Sequence, residues 1–172
     1  MTVIGVTGTN GKTSTAYLIQ RVLEHCGHRA ANFGTLGYYI GVVSLGSQHT
    51  TPFGEDLAEL FRRAKEAGST HVVMEASSHA LEQERVAGIH FCVGVFTNLT
   101  QDHLDYHSDM EDYFAAKRRL FESLEGPGAF AVINLDDANG PRYLEACTVP
   151  VITYGKKGSC QARSIDVNLM RS

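Results

Sequence analysis

A glycine-rich loop near the start of the chain carries a lysine placed to bind phosphate. The sequence reads GTNGKTS from Gly8 to Ser14, between an apolar run typical of a strand and a helical pattern that begins at Thr13. The common phosphate-binding loop reads G-x-x-x-x-G-K-[ST], and this chain has Val6 where that pattern requires its first glycine. An ordinary glycine-rich turn is the alternative, but the strand–loop–helix context favours phosphate binding.

In such a loop, backbone N–H groups and the helix N-terminus attract phosphate oxygens. Lys12 is the candidate for contacting the β- and γ-phosphates, and the Thr13 hydroxyl is a candidate magnesium ligand. The predicted nucleotide-contacting residues are Gly8, Thr9, Asn10, Gly11, Lys12, Thr13 and Ser14.

A second group of polar residues follows the apolar run 72–74. Glu75 comes directly after it, where a carboxylate can bind magnesium or orient water, although many strands end in a charged residue without such a role. Ser77, His79 and Arg85 come next. The planar guanidinium of Arg85 suits a carboxylate or phosphate, whereas His79 alternatively caps or packs a helix.

A third polar segment, residues 97–107, combines two acids and two histidines. Asp102, His103, Asp105 and His107 are candidate metal ligands. Magnesium is favoured over zinc because no cysteine is near and a phosphate loop is present. A polar surface loop is the alternative.

A lysine on the apolar side of a predicted helix is the fourth candidate. Lys117 falls among the stripe of Met110, Tyr113, Phe114, Leu120, Phe121 and Leu124, while Arg118 and Arg119 turn away from it. A lysine that reaches solvent from the edge of the stripe is the alternative. A buried lysine can lose its proton and react with carbon dioxide to form a carbamate, which supplies oxygen ligands for magnesium.

Short apolar runs and helical patterns alternate along the chain. Strands are predicted at 3–6, 30–37, 71–74, 91–96, 130–135 and 149–154, with 164–169 as a further candidate. Helices are predicted at 13–26, 55–67, 80–87, 109–124 and 141–146, and a loop or short hairpin at 41–51. The alternation predicts an α/β fold, with a mostly parallel sheet covered by helices on both faces. Ligands of such sheets bind beyond the carboxyl ends of the strands, where the candidate residues fall.

The composition limits the class of protein. With 172 residues, of which 43% are apolar, the chain is long enough for one domain with a sizeable core. A net charge of −4 and a pI near 6.0 disfavour a nucleic-acid partner. No apolar run approaches the ~20 residues that span a bilayer, and no export signal is recognisable, so we expect no membrane partner. The cysteines form no C-x-x-C pair, which favours reduced thiols in a cytoplasmic protein.

With these motifs assembled, the sequence resembles the central, ATP-binding domain of the Mur ligases over nearly its whole length. GTNGKT at residues 8–13 is that family's version of the phosphate loop, so Val6 is expected at its position. Further segments resemble the MurE branch: TTP at 50–52, EASSHAL at 75–81, QER at 83–85, TNLTQDHLDYH at 97–107 and YFAAK at 113–117. The resemblance implies the P-loop NTPase-like fold of that central domain.

The resemblance also implies roles for individual residues. Lys12 and Thr13 would hold the phosphates and magnesium of bound ATP, and Glu75 and His103 would be magnesium ligands. Lys117 matches the family's carbamylated lysine, so Lys12, Lys117 and His103 form the predicted catalytic group. The positions that match contacts to the muramoyl-dipeptide are Thr50, Thr51, Ser77, Gln83 and Arg85.

The implied activity is an ATP-dependent, amide-bond-forming ligation in peptidoglycan synthesis. The γ-phosphoryl group passes to the D-Glu carboxylate of UDP-N-acetylmuramoyl-L-alanyl-D-glutamate (UDP-MurNAc-L-Ala-D-Glu), an amine attacks the acyl phosphate, and phosphate leaves. The incoming amino acid is meso-diaminopimelate or L-lysine. We expect a monomer whose partners are these small molecules.

We also expect the chain to be part of a larger enzyme. Residues 1–172 match the family's central domain with its C-terminal end incomplete, and the family's N-terminal UDP-binding domain and C-terminal domain are absent. Such a part should keep the phosphate site without catalysing ligation alone. Two alternatives remain: a stand-alone nucleotide-binding module, and another ligase of the superfamily such as a folylpolyglutamate synthetase. Residues 50–52, Ser77 and Arg85 disfavour the second.

Overall fold

The computed structural model describes residues 1–47, 49–102, 105–156 and 160–164. The strands in these ranges are β1 (Thr2–Thr7), β2 (Ala30–Gly34), β3 (Gly37–Ile40), β4 (Val43–Leu45), β5 (His71–Glu75), β6 (Val93–Phe96), β7 (Phe130–Asn134), β8 (Val151–Gly155) and β9 (Ala162–Arg163). The helices are α1 (Lys12–His25), α2 (Gly54–Glu66), α3 (Ser78–Glu82), α4 (Met110–Glu122) and α5 (Gly140–Ala146).

The described strands form one sheet in the order β4-β3-β2-β5-β1-β6-β7-β8-β9. Strand β3 pairs antiparallel with β2 and β4, and the other neighbours pair in parallel. The predicted α/β fold with a mostly parallel sheet is therefore confirmed. The strand order places β1 at the centre, between β5 and β6, so the segments that follow these three strands meet at one edge.

Some predicted elements have other bounds in the structure. The strand expected at 30–37 is two strands, β2 and β3, joined by a turn, and the segment expected to be a loop or hairpin contains the β3–β4 pairing. The candidate strand at 164–169 lies almost wholly outside the described residues, and the described part of the chain has β9 just before it.

The short helix expected at 80–87 begins and ends earlier. The Ser77 hydroxyl accepts a hydrogen bond from the Ala80 N–H, and this N-cap starts α3 at Ser78. The helix stops before Glu84, whose φ of 55° is in the left-handed region that a continuing helix excludes.

Helices cover both faces of the sheet. On one face, α1 packs over Ile4, Val6 and Val73. On the other, residues of α2, α4 and α5 enclose a larger core around Phe33, Phe91, Phe96, Tyr113, Leu120, Phe121 and Tyr143. Alternate residues of β1 belong to different cores because successive side chains of a strand point to opposite faces.

The apolar residues of α1 do not all face the sheet. Ala16 is buried and Ile19 and Leu23 pack against the core, but Leu18 and Val22 are 61% and 62% exposed. Only the row at 16, 19 and 23 faces the sheet, and the row that contains Leu18 and Val22 faces solvent.

Helix α4 lies very close to the central strand. A Cβ atom at Gly5 would lie 2.8 Å from Leu120 Cδ1 and 2.9 Å from the Phe91 ring, so glycine permits this packing without a shift of either side chain. Since Lys117 is one turn before Leu120, the same packing carries the lysine to the end of β1.

Within the described ranges, none of the helices combines the length and the apolar character needed to cross a bilayer.

We predict that Leu120→Ala lowers the free energy of unfolding by about 2–5 kcal/mol, because it leaves a cavity under α4. Leu18→Ala is the matched control on a solvated helix face, and we expect a change within about 0.5 kcal/mol. Urea unfolding monitored by circular dichroism measures both. Equal losses in the two variants would contradict the assignment of the Leu18 row to the surface.

Candidate active site

The candidate residues come together beyond the carboxyl ends of three adjacent strands. The glycine-rich loop follows β1, Glu75 ends β5, and Thr97 and Asn98 follow β6. Parallel pairing of β1 with both neighbours brings these ends to the same level. The polar groups predicted at strand ends therefore share one site.

The loop curves directly out of the central strand. Val6 is fully buried in β1, and the loop begins only at Gly8, where φ is 146° and a Cβ would collide with the Thr97 hydroxyl. The valine is tolerated because the loop starts two residues later than in the common pattern. Gly11 caps α1, and Ser14 is exposed in the first turn of that helix.

Lys12 folds back beneath the loop. Its Nζ donates to the carbonyl oxygens of Gly8 and Thr9, both at 2.8 Å. Burial lowers the pKa of Lys12, against the opposing effects of the Glu75 and Asp102 carboxylates. The ammonium group of Lys12 is thus held on the inner side of the glycine-rich loop, where phosphate oxygens would bind.

Residues after β6 hold the loop in shape. Asn98 Oδ1 accepts from the Asn10 N–H and its Nδ2 donates to the Asn10 carbonyl, both at 2.9 Å. The Thr97 hydroxyl donates to the same carbonyl at 2.7 Å, and the Thr9 N–H donates to the Asn98 carbonyl at 2.8 Å. Sequence reasoning assigned no role to Asn98, and the structure shows that it pairs with the loop on both sides of Asn10.

Helix α4 supports the loop from below. The Tyr113 hydroxyl lies 3.2 Å from the Thr9 hydroxyl, and Lys117 Nζ donates to the Gly8 carbonyl at 3.1 Å. Lys117 is 1% exposed, and its Nζ is 4.4 Å from the centre of the Tyr113 ring. Burial is the main cause that holds the pKa of Lys117 well below its usual value. The positive charge of Lys12 lowers this pKa further, and the carboxylate of Asp102 opposes both effects. The predicted burial of Lys117 is confirmed.

Glu75 is a buried carboxylate beside a threonine hydroxyl, which is a donor set suited to magnesium. It is 1% exposed, and Thr13 Oγ1 donates to its Oε2 at 3.1 Å. Magnesium prefers oxygen ligands, so Thr13 and Glu75 fit the ion, and the adjoining loop fits its phosphate partner. His103, the other predicted ligand, lies outside the described residues. Within the described ranges, no three or more His, Cys, Asp or Glu side chains are grouped to hold a metal.

Two histidines near the site, His107 and His79, pack against aromatic rings. His107 is 1% exposed and packs 5.0 Å from the Tyr113 ring, with its Nδ1 3.5 Å from Asp112 Oδ2. His79 stacks 4.0 Å from the Tyr106 ring.

A cavity of about 260 Å³ joins the two lysines to the residues predicted to bind substrate. Its walls are formed by Lys12, Lys117, His49, Thr50, Thr51, Ser77, Ser78, His79 and Arg85. A cavity of about 350 Å³ beside α2 has a more apolar wall and none of the loop residues. We place the candidate site in the first, because the cationic and hydroxyl groups converge there.

The substrate-side residues hold one another in place. The Thr51 hydroxyl donates to the Glu75 carbonyl at 2.8 Å and lies 3.2 Å from Ser77 Oγ. Arg85 donates to the Thr51 carbonyl at 3.2 Å and to Gln83 Oε1 at 2.6–2.8 Å. Gln83 therefore orients the guanidinium group, although it does not itself line the cavity.

Thr35 is a further residue of this site that sequence reasoning missed. It donates its N–H to Glu75 Oε1 at 2.8 Å from the turn after β2. No local pattern marks it, because its place beside Glu75 depends on the pairing of β2 with β5.

Comparison with known proteins agrees with this geometry. The model of the Mur ligase middle domain matches residues 6–171. A curated relative from Geobacter metallireducens, UDP-N-acetylmuramoyl-L-alanyl-D-glutamate–2,6-diaminopimelate ligase, is 48% identical over 167 residues, which are 94% of this chain and 33% of that protein. The protein of the same name from Solibacter usitatus is 54% identical over 152 residues, which are 88% of this chain and 31% of that protein.

A solved structure of a ligase with this name superposes with a TM-score of 0.80 at 38% identity, over 92% of this chain and 32% of that one. The chain spans about a third of the length of the curated relatives it matches. Because the family model covers nearly every residue from β1 onward, the chain belongs to the Mur ligase middle domain family.

Proposed function

We propose that this chain is the ATP-binding part of a ligase that attaches an amino acid to UDP-MurNAc-L-Ala-D-Glu during peptidoglycan synthesis. One observation carries the proposal: Lys12 of the phosphate loop and Arg85 of the substrate-side group line the same cavity. A reaction between ATP and a carboxylate requires two anions to meet, and cations on both sides of a cavity offset their repulsion.

Each group has a distinct task in this proposal. The loop N–H groups and Lys12 would bind the phosphates, and Thr13 and Glu75 would hold a magnesium ion, which would neutralise part of the phosphate charge. Arg85, Ser77 and the threonines at 50 and 51 bind the muramoyl-dipeptide, so that its D-Glu carboxylate faces the γ-phosphate.

The proposed reaction has two steps. A carboxylate oxygen forms a bond to the γ-phosphorus, and the bond to the leaving ADP oxygen breaks. The amine of the incoming amino acid then attacks the acyl carbon, phosphate leaves with the electron pair of the C–O bond, and the nitrogen loses a proton. Positioning and charge neutralisation supply the catalysis.

Lys117 is proposed to act as a carbamate. The amine nitrogen forms a bond to carbon dioxide and releases a proton, which gives two oxygens that can approach magnesium. The support is positional: the Lys117 side chain is buried, lines the cavity, and shares the Gly8 carbonyl with Lys12. His103 is proposed as a further magnesium ligand.

The names of the relatives favour 2,6-diaminopimelate over lysine as the amino acid. They also disfavour a folylpolyglutamate synthetase. The proposal further includes a monomeric cytoplasmic protein, and the four free cysteines agree with a reducing compartment. A stand-alone nucleotide-binding module is the competing function.

Lys12→Ala is predicted to abolish binding of magnesium-ATP, because the loop loses the ammonium group that meets the phosphates. Isothermal titration calorimetry of the chain measures this, with Lys65→Ala on an exposed turn of α2 as the control. Undiminished binding in Lys12→Ala would contradict the phosphate-loop assignment. If the unaltered chain binds no ATP, the stand-alone module is excluded.

Lys117→Ala is predicted to lower the ligation rate of the full-length enzyme by roughly a hundredfold or more, because a group that stabilises transferring charge is lost. Bicarbonate should not restore the rate. Nuclear magnetic resonance with ¹³C-bicarbonate should show a carbamate signal in the unaltered protein that Lys117→Ala lacks and Lys65→Ala keeps. A signal that survives in Lys117→Ala would refute the carbamate.

Arg85→Lys is predicted to raise the KM for UDP-MurNAc-L-Ala-D-Glu about tenfold, because lysine cannot reproduce a bidentate guanidinium contact. Steady-state kinetics on the full-length enzyme would use the muramoyl-dipeptide and a folate substrate side by side. Turnover of the folate alone would replace the proposed substrate, and an unchanged KM would remove Arg85 from its binding site.

A further inference from the structure

The carboxylate of Glu75 is oriented by the turn between β2 and β3. The Thr35 N–H donates to Oε1 at 2.8 Å, and the Thr35 hydroxyl lies 3.2 Å from Oε2. With Thr13, whose hydroxyl donates to Oε2 at 3.1 Å, three donors define the plane of this carboxylate.

We propose that Thr35 is a positioning residue that holds Glu75 in the orientation needed to bind a divalent cation, and that it links this carboxylate to Thr50 in the cavity wall. The inference rests on the proposed function, because it takes Glu75 as a ligand of magnesium.

The backbone of the turn is built against the carboxylate. Strand β2 runs parallel to β5 with Phe33 opposite Met74, so the turn leaves the sheet where Glu75 ends its strand. At Gly34 a Cβ atom would overlap the Glu75 carboxylate. Glycine thus permits the close approach that places the Thr35 N–H on Oε1.

The Thr35 hydroxyl connects Glu75 with the cavity. Thr35 Oγ1 is 3.2 Å from Thr50 Oγ1 as well as 3.2 Å from Glu75 Oε2. A hydroxyl has one proton to donate, and an ionised carboxylate only accepts. Thr35 is the donor in both contacts, so its one proton is shared between Thr50 Oγ1 and Glu75 Oε2. Thr50 lines the cavity, so this shared donor joins the substrate side to the proposed metal ligand.

Because the Glu75 carboxylate is buried, the neighbouring hydrogen-bond donors determine its orientation. A carboxylate that is 1% exposed has little water to satisfy its oxygens, so fixed donors decide which way they point. Residues that orient a metal ligand typically change metal affinity by 10–100-fold when they are removed.

The test is a titration of Mn²⁺ into the 172-residue chain with a non-hydrolysable ATP analogue, with free Mn²⁺ measured by electron paramagnetic resonance. Thr35→Val keeps the shape and the N–H but removes the hydroxyl, and we expect affinity to fall about tenfold. Thr35→Ser restores the hydroxyl and should stay within about twofold of the original affinity.

Thr70→Val is the matched control. Thr70 is an exposed threonine at the opposite end of β5, where its hydroxyl donates to the Arg29 carbonyl. Its Mn²⁺ affinity should not change. Thermal unfolding of all variants should give similar midpoints, which separates a loss of positioning from a loss of folded protein.

A double-mutant cycle tests the link to Thr50. Thr50→Val alone should raise the Mn²⁺ affinity, because the Thr35 hydroxyl then donates to Glu75 alone, and the same change in the Thr35→Val background should have no effect. An equal effect of Thr50→Val in both backgrounds would overturn the link.

Two results would overturn the inference in different ways. Full Mn²⁺ affinity in Thr35→Val would remove the positioning role and leave the metal assignment standing. If the unaltered chain binds no Mn²⁺ with the analogue, the metal site at Glu75 fails, and this inference fails with it.

Discussion

Two lysine side chains converge on one backbone carbonyl, and the site depends on that contact. Lys12 and Lys117 donate to the Gly8 oxygen at 2.8 and 3.1 Å. Two positive charges so near each other are unfavourable away from water, where charges are poorly screened. Burial and the neighbouring Lys12 therefore favour the neutral amine of Lys117. A neutral amine is the form that the proposed reaction with carbon dioxide requires.

The two lysines reach that carbonyl by different routes. Lys12 is four residues from Gly8, so the loop and the start of α1 suffice to place it. Lys117 comes from α4, and its position depends on the close packing of Leu120 against Gly5. A side chain at position 5 would press on Leu120 and Phe91, so one of these side chains would have to move. The glycine in the central strand therefore favours the packing of the helix that carries Lys117.

Glu75 joins the two halves of the cavity. Its carboxylate lies beside Thr13 of the phosphate loop, while its backbone carbonyl accepts the Thr51 hydroxyl on the substrate side. One strand end therefore fixes the distance between the phosphate loop and the substrate-side residues. Arg85 adds to this rigidity through its bond to the Thr51 carbonyl. A reaction between two anionic groups benefits from walls that need little reorganisation.

The sequence by itself determined the features that depend on neighbours along the chain. The phosphate loop, the alternation of strands and helices, and the burial of Lys117 follow from local spacing and the helical period. Local spacing did not determine which apolar residues of α1 face the sheet. Leu18 is exposed, because a helical pattern does not say how wide a face the sheet will cover.

The tertiary structure alone decided which strand ends meet. Strand β5 lies between β2 and β1, although it follows both in sequence, and this order brings Thr35 to Glu75. Asn98 likewise reaches Asn10 only because β6 pairs with β1. Strand order is settled by long-range packing and hydrogen bonding, which leave no periodic trace in the sequence.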